Sequence, residues 1–158
     1  MAMPAMKIGF NVRALRFDHP RVIKAVDDAT YRALLRSGQY VRKVARHSIK
    51  TRPGPSAPGQ PPHSQIGRLK QFIYYGFDPA ARSVVVGPAR LRDAQTYGSM
   101  TVPELLEGGG VVRMSDRNAR RLGVARGTMA RYEARPYMGP AQEAGFEKVD
   151  DFWRDSVK

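Results

Sequence analysis

The segment Thr51–Gly67 (TRPGPSAPGQPPHSQIG) constrains this chain more than any other stretch. It places five prolines and three glycines within seventeen positions. Proline removes a backbone donor and fixes φ, so neither a helix nor a central strand can run through such a stretch. It predicts an extended, partly polyproline-like arm of the kind that orders against a partner. Regular secondary structure therefore stops before the arm and restarts after it.

Before the arm, Val22, Val26, Ala29, Ala33, Leu34, Val41, Val44, Ala45 and Ile49 recur at three- to four-residue spacing. That period predicts one long amphipathic helix over about 20–49, with Asp18 as N-cap and Pro20 in the first turn. Gly38 interrupts it, marking a kink or a close crossing. Arg32, Arg36, Arg42, Lys43 and Arg46 form the opposite, charged face, a pattern that ordinarily means solvent. Further upstream, Met6, Ile8, Phe10, Val12 and Ala14 alternate with Lys7, Gly9, Asn11 and Arg13, the period of a half-buried strand.

After the arm, Leu69–Phe77 and Ser83–Gly87 read as a hairpin turned at Asp78-Pro79-Ala80-Ala81. Its run Val84-Val85-Val86 suggests burial on both faces. Val102–Glu107 predicts a short helix opened by Pro103 and stopped by Gly108-Gly109-Gly110. Residues 109–131 show no apolar period and read as a second long loop. Met129–Tyr137 suggests a returning strand and Ala141–Val157 a closing helix, with Ala144, Val149, Phe152 and Trp153 near one stripe. The expected architecture is α+β in a single domain over 1–158. Long N- and C-terminal helices pack on a small, mainly antiparallel sheet.

The formal charge is +13, from 27 Lys+Arg against 14 Asp+Glu. Such a field favours polyanionic surroundings or acidic protein surfaces. It is concentrated on the helix face and in Arg113, Arg117, Arg120, Arg121, Arg126 and Arg131, with Asp116 the sole acid among them. Like charges this dense hold a loop open unless something negative accepts them. No aromatic interleaves them, so phosphate or protein contact is expected, without base reading.

There is no cysteine, which excludes disulfides, thiolate metal sites and cysteine nucleophiles. His19, His47 and His63 lack a second ligand at metal-binding spacing. No nucleophile elbow, paired-carboxylate site or phosphate loop is present, so neither enzyme activity nor a cofactor is expected. No apolar run spans a bilayer. The N-terminus lacks the basic and apolar regions of a secretory signal, which predicts cytosolic synthesis.

The segment Ala134-Arg-Pro-Tyr-Met-Gly-Pro-Ala141 is the most specific in the chain. Pro136 forces Arg135 to be extended, and Gly139 and Pro140 look like the N-cap and first residue of the last helix. Arg135 there opposes the helix dipole, so a compensating carboxylate is expected, with Glu107 as the candidate partner.

The order of these features resembles the tail-completion proteins of tailed phages, a family overlapping the minor tail protein Z-like and virion-morphogenesis proteins. A long helix comes first, then a linker ending Gly67-Arg68-Leu69 and a hairpin ending Val84-Val-Val-Gly87. The helix end Leu105-Leu-Glu107-Gly108-Gly109, the 134–141 segment and a closing helix follow. The resemblance covers roughly residues 20–153. It implies a non-enzymatic ring subunit, often six-fold, at the neck of the virion, assembled in the host cytoplasm. Its implied partners are itself, head-completion or connector proteins, tail tube or terminator proteins, and packaged DNA in the channel, with no membrane. Arg135, Pro136 and Pro140 match the family's most recognisable segment, and Glu107 its acidic position before glycine. The Pro-rich arm (Pro53, Pro55, Pro58, Pro61 and Pro62) and the arginine-rich loop depart from the pattern. A free nucleic-acid-binding protein that contacts DNA phosphates is the alternative.

Overall fold

The computed structural model describes residues 18–89, 100–154 and 156. The strand expected around 6–14 and the C-terminal end of the expected closing helix lie outside them. Six helices and four strands make up the α+β fold in these residues: α1 (His19–Ser48), α2 (Arg68–Gln71), β1 (Ile73–Asp78), β2 (Ser83–Pro88), α3 (Val102–Gly108), β3 (Gly110–Arg113), α4 (Asp116–Leu122), β4 (Met129–Tyr132), α5 (Met138–Phe146) and α6 (Val149–Arg154). The strands form two separate antiparallel pairs, β1–β2 and β3–β4, rather than one sheet.

Helix α1 is the backbone of the fold, about 45 Å long at 1.5 Å per residue. Asp18 is its N-cap residue and a proline lies in its first turn. The Asp18 carboxylate, however, pairs with Arg21 at 2.9 Å instead of capping a backbone donor. Its buried stripe is made of small residues, Ala29, Ala33, Gly38 and Ala45, which lets other elements approach closely. The β1–β2 hairpin does so: a Cβ at Gly38 would lie 2.5 Å from Val84 Cγ2. Gly38 thus marks a close crossing against the hairpin. On the next turns α5 approaches, and a Cβ at Gly145 would collide with Val41 Cγ2.

Two cations of the supposed solvent face of α1 are tertiary anchors. Arg42 Nε donates to the Ile73 carbonyl at 2.7 Å and its guanidinium lies 5.9 Å from the Tyr75 ring centre. Arg32 donates to the Ser156 carbonyl at 2.9 Å. Sequence periodicity sees only charge at these positions. It does not see that the side chains reach carbonyls left open by neighbouring elements.

The β1–β2 register pairs Tyr75 with Val86 and Phe77 with Val84. Ile73, Tyr75 and Phe77 face α1, with Phe77 packed edge-on against Tyr31 at 4.9 Å. Asp78 Oδ1 accepts from the Ala80 and Ala81 amides and closes the turn. The burial expected on both faces of Val84–Val86 is corrected. Val85 is 63% exposed, because the strand alternates and only one face of this hairpin is covered.

The core cluster, Ala45, Ile49, Ile73, Tyr137 and Ala141, lies where α1, β1 and α5 meet, flanked by Val41, Val44, Leu69, Leu106 and Met138. Fully burying Ile49, Ile73 or Tyr137 contributes on the order of 1.5–3 kcal/mol each.

Three segments differ from expectation. The long loop 109–131 is a strand–helix–strand excursion. Ser115 caps α4 by accepting from Asn118 N, and Gly123 ends it in the left-handed conformation. β3 and β4 pair from Gly110↔Tyr132 to Arg113↔Met129, so the returning strand stops at Tyr132. The closing helix is two helices, α5 and α6, broken at Glu147 and Lys148, whose amides bond to Glu143 and Gly145.

Candidate functional site

The junction of α3 with α5 is the most highly connected polar site among the described residues. Thr101 and Glu104 form a reciprocal capping box at the start of α3, which fixes the helix that carries Glu107. From its last turn Glu107 reaches across to the N-terminus of α5. Oε2 accepts from the amides of Tyr137 and Met138, both at 3.1 Å, and Oε1 from Gly139 at 2.7 Å. The N-cap residue Tyr137 offers no side-chain cap of its own. A carboxylate from another helix thus satisfies all three free amide donors of this N-terminus, the fourth position being Pro140, and meets the positive end of the dipole.

This corrects the sequence reading in two respects. The helix begins at Met138, so Gly139 and Pro140 are its second and third residues rather than its cap and first. Pro140 is tolerated there because its missing N–H would have had no intrahelical partner. A Cβ at Gly139 would sit 3.2 Å from Glu107 Oε1, a tight contact that would press on the carboxylate. Secondly, Glu107 and Arg135 do not pair. The carboxylate is taken up by backbone amides, and Arg135 turns the other way: Nε donates to the Ser56 carbonyl at 3.0 Å and NH1 to the Glu133 carbonyl at 3.2 Å. The dipole that Arg135 was expected to oppose is met by Glu107 alone. Next to Arg135, Pro136 is half-buried.

Arg135 instead fastens the proline-rich arm. The Gly59 amide donates to the Ala134 carbonyl at 2.8 Å, and the Ser64 amide to the Lys50 carbonyl at 3.0 Å. Lys50 and His63 form a parallel bridge. Ser56 and Pro62 are buried, Pro61 is half-buried, and Pro53, Pro55 and Pro58 are exposed. The arm expected to order on a partner is laid back on its own chain.

Tyr137 has its ring in the core and its hydroxyl buried without a hydrogen-bond partner. Burial first, and then the nearby Glu107 charge, push its ionisation above the ordinary tyrosine range.

Arg113, Arg117, Arg120, Arg121, Arg126 and Arg131 all lie on the β3–α4–β4 excursion and all are exposed. Arg131 faces Glu133 at 3.6 Å, and Arg120 Nε donates to the Asp116 carbonyl. The structure brings the six onto one protruding element that one exposed acid, Asp116, partly offsets. Sequence reading missed α4 itself, although Ser115 ahead of an acidic first turn and Gly123 after it are ordinary helix start and stop signals.

Sequence reading also missed an apolar groove of about 440 Å³ between α1, β2, α5 and α6. It is lined by Leu34, Val41, Val85, Phe146, Val149 and Trp153, among others. Phe146 and Trp153 are 66% and 40% exposed. Trp153, expected near one stripe with Ala144, Val149 and Phe152, lines the groove together with Val149. Phe152 does turn inward, to Tyr40 at 5.7 Å.

Among the described residues no three acidic or histidine side chains gather as metal ligands, and no helix is long and apolar enough to cross a membrane. No family model, no curated protein and no solved structure matches the chain.

Proposed function

We propose that this chain is a non-catalytic assembly subunit that gains stability by docking to copies of itself and to neighbouring proteins. Its specific role is that of a ring-forming neck or tail-completion protein joining head connector to tail in a tailed phage. The distribution of apolar side chains carries the reading. Among the described residues ten hydrophobics are buried and five of those are alanine, whereas fourteen large hydrophobics are exposed. Singly exposed apolar residues are ordinary. Here, however, Val85, Phe146 and Trp153 gather around one groove, and grouped exposure of this kind marks an interaction surface. The order of elements from α1 to α6 supports the phage assignment through the family resemblance. A head-to-tail contact repeated around an axis closes a ring, and the protruding arginines suit an acidic neighbour or the DNA in its channel.

The test is to remove the gene product during infection. Filled heads and separate tails that join when the purified protein is added back are expected. Intact virions lacking the protein would refute the assignment.

A second reading, phosphate contact by the protein in isolation, is favoured by the six exposed arginines. It requires DNA affinity that falls with salt at a log–log slope of about 0.9 per phosphate neutralised.

A further inference from the structure

From Ala29 to Phe77 the chain carries nine lysines and arginines and not one acid. Two of these cations are used by the fold, since Arg32 and Arg42 bond to the carbonyls of Ser156 and Ile73. Arg36, Lys43 and Arg46 are not: none makes an ion pair or a side-chain hydrogen bond among the described residues. Arg36 and Lys43 are exposed and Arg46 is half-buried. At about 100° and 1.5 Å per residue the three lie within an arc of about 80° and along about 15 Å of α1, on the side away from the buried Ala45.

The arm continues this stripe. The Ser64 amide bonds to the Lys50 carbonyl and the Gly67 amide to the Ser64 carbonyl, which brings Arg68 of α2 to the end of α1 where Lys50 stands. Arg52 follows Lys50 in the chain. Lys50, Arg52 and Arg68 are exposed and equally unpaired.

Ordinary explanations cover only part of this surface. Cations in the last turn of a helix offset its dipole, but only Arg46 and His47 stand there. A solvated helix face commonly mixes signs and pairs them, whereas this one has no acid to pair with. Neighbouring elements do not supply one. Helix α6, packed along α1, carries Asp150 and Asp151 against Lys148 and Arg154 and adds no net charge. Glu143 and Glu147 belong to α5, which meets α1 on the opposite side, at Val41.

What such a face accepts follows from what it lacks. From Arg32 to Gln65 no large hydrophobic side chain is exposed. Protein interfaces are centred on apolar and aromatic anchors, and the stripe offers none. The β3–α4–β4 excursion, by contrast, exposes Val111, Leu122, Val124 and Met129 among its arginines, the mixture that a protein neighbour takes. A cationic face without apolar anchors suits a phosphodiester backbone, which is held by charge and through water. With no exposed aromatic to stack on a base, the contact is to phosphates alone.

We propose that the stripe Arg36, Lys43 and Arg46, continued by Lys50, Arg52 and Arg68, binds the phosphate backbone of duplex DNA without reading its sequence. The proposal rests on the phosphate-contact reading and moves that contact from β3–α4–β4 to α1.

Two triple variants that each remove three positive charges test it. One is Arg36→Gln, Lys43→Gln and Arg46→Gln; the other is Arg117→Gln, Arg120→Gln and Arg121→Gln. Binding to short DNA duplexes of two unrelated sequences is followed by fluorescence anisotropy between about 50 and 200 mM salt. Wild type should bind both sequences alike. The α1 variant should lose more than ~30-fold in affinity, with a salt slope lower by about 2.7, or about 0.9 per lost phosphate contact. The excursion variant, of the same net charge, should keep the wild-type slope. Lys43→Gln alone changes one exposed side chain, leaves the unfolding midpoint unmoved, and should lower the slope by about 0.9. An unchanged slope in Lys43→Gln overturns the proposal. So do equal losses in the two triple variants, which would mean attraction to net charge without a site. A loss confined to the excursion variant overturns it too, although the phosphate-contact reading would survive. Polyglutamate that competes as well as DNA at equal charge, or preference for an RNA duplex, overturns the choice of DNA phosphates. Wild-type protein that binds no duplex at low salt ends both readings.

Discussion

Replacing Glu107 isolates the interaction that joins the two halves of this fold after the arm. The side chain accepts three backbone hydrogen bonds at the α5 N-terminus, at 3.1, 3.1 and 2.7 Å. Bonds to a charged acceptor contribute about 1.5–3 kcal/mol each when buried. The site is only half-buried, so water reaches the stranded amides of a variant and roughly 1 kcal/mol apiece is the better figure, with about 0.5 kcal/mol more from the helix dipole. Glu107→Ala should therefore cost about 3.5 kcal/mol. Glu107→Gln, which keeps one acceptor oxygen and loses the charge, should cost about 1.5 kcal/mol. With a urea m-value of about 1–3 kcal/mol/M, the alanine variant's midpoint falls by about 1–3 M. Trp153, the single tryptophan, follows the transition by fluorescence and circular dichroism at 222 nm follows it in parallel. Arg135→Ala removes bonds to the Ser56 and Glu133 carbonyls and should cost about 1 kcal/mol. Because the two side chains serve different partners, the double variant should be additive to within about 0.5 kcal/mol. The reasoning fails if Glu107→Gln unfolds like wild type. It fails equally if the coupling reaches about 2 kcal/mol, since that is the signature of the ion pair that the structure replaces.

Three further perturbations follow from the geometry. Gly38→Ala should destabilise by about 1–3 kcal/mol through overpacking against Val84, although helix propensity alone favours alanine by about 1 kcal/mol; a raised thermal midpoint would refute the close crossing. Gly109→Ala should cost at least ~2 kcal/mol, because φ is +68° and a Cβ would lie 2.8 Å from Ala134 N and Tyr132 O. Gly108→Ala, which meets nothing within 4 Å, should be neutral, and equal losses in urea titrations would contradict this. Tyr137 loses protons less readily when folded than its ordinary value of 10.0. Above that pH the unfolded chain holds fewer protons, so stability declines as pH rises, by up to about 1.4 kcal/mol per unit from this residue. Tyr137→Phe should flatten the decline above pH 10 and leave stability near neutrality unchanged or slightly higher; an identical alkaline slope in both proteins would show that the hydroxyl is not buried.

Local patterns were legible wherever one chemical signal dominated. The three-to-four spacing from Val22 to Ile49 marked α1 to within a residue at each end. The turn at Asp78–Ala81 and the glycine stop of α3 were equally plain. Legibility failed where charge hid structure: six arginines masked β3, α4 and β4, although Ser115 and Gly123 bounded a helix between them. Glu107 was expected to pair with Arg135, whereas its carboxylate serves the amides of the α5 N-terminus. A carboxylate near a helix start has amides and guanidinium groups to choose between, and their relative positions depend on the angle between α3 and α5.

The sequence by itself thus determined the periodic elements, the lack of thiol chemistry, the strong positive charge and the helix start after Ala134. These follow from backbone preferences and composition, which act over a few residues. Only the tertiary structure decided that the proline arm folds back, through Ser56 and Gly59, onto Arg135 and Ala134, and that Arg42 anchors the hairpin. The same holds for the apolar groove that α1, β2, α5 and α6 leave open. Each of these depends on distances between residues dozens of positions apart, which no local spacing encodes.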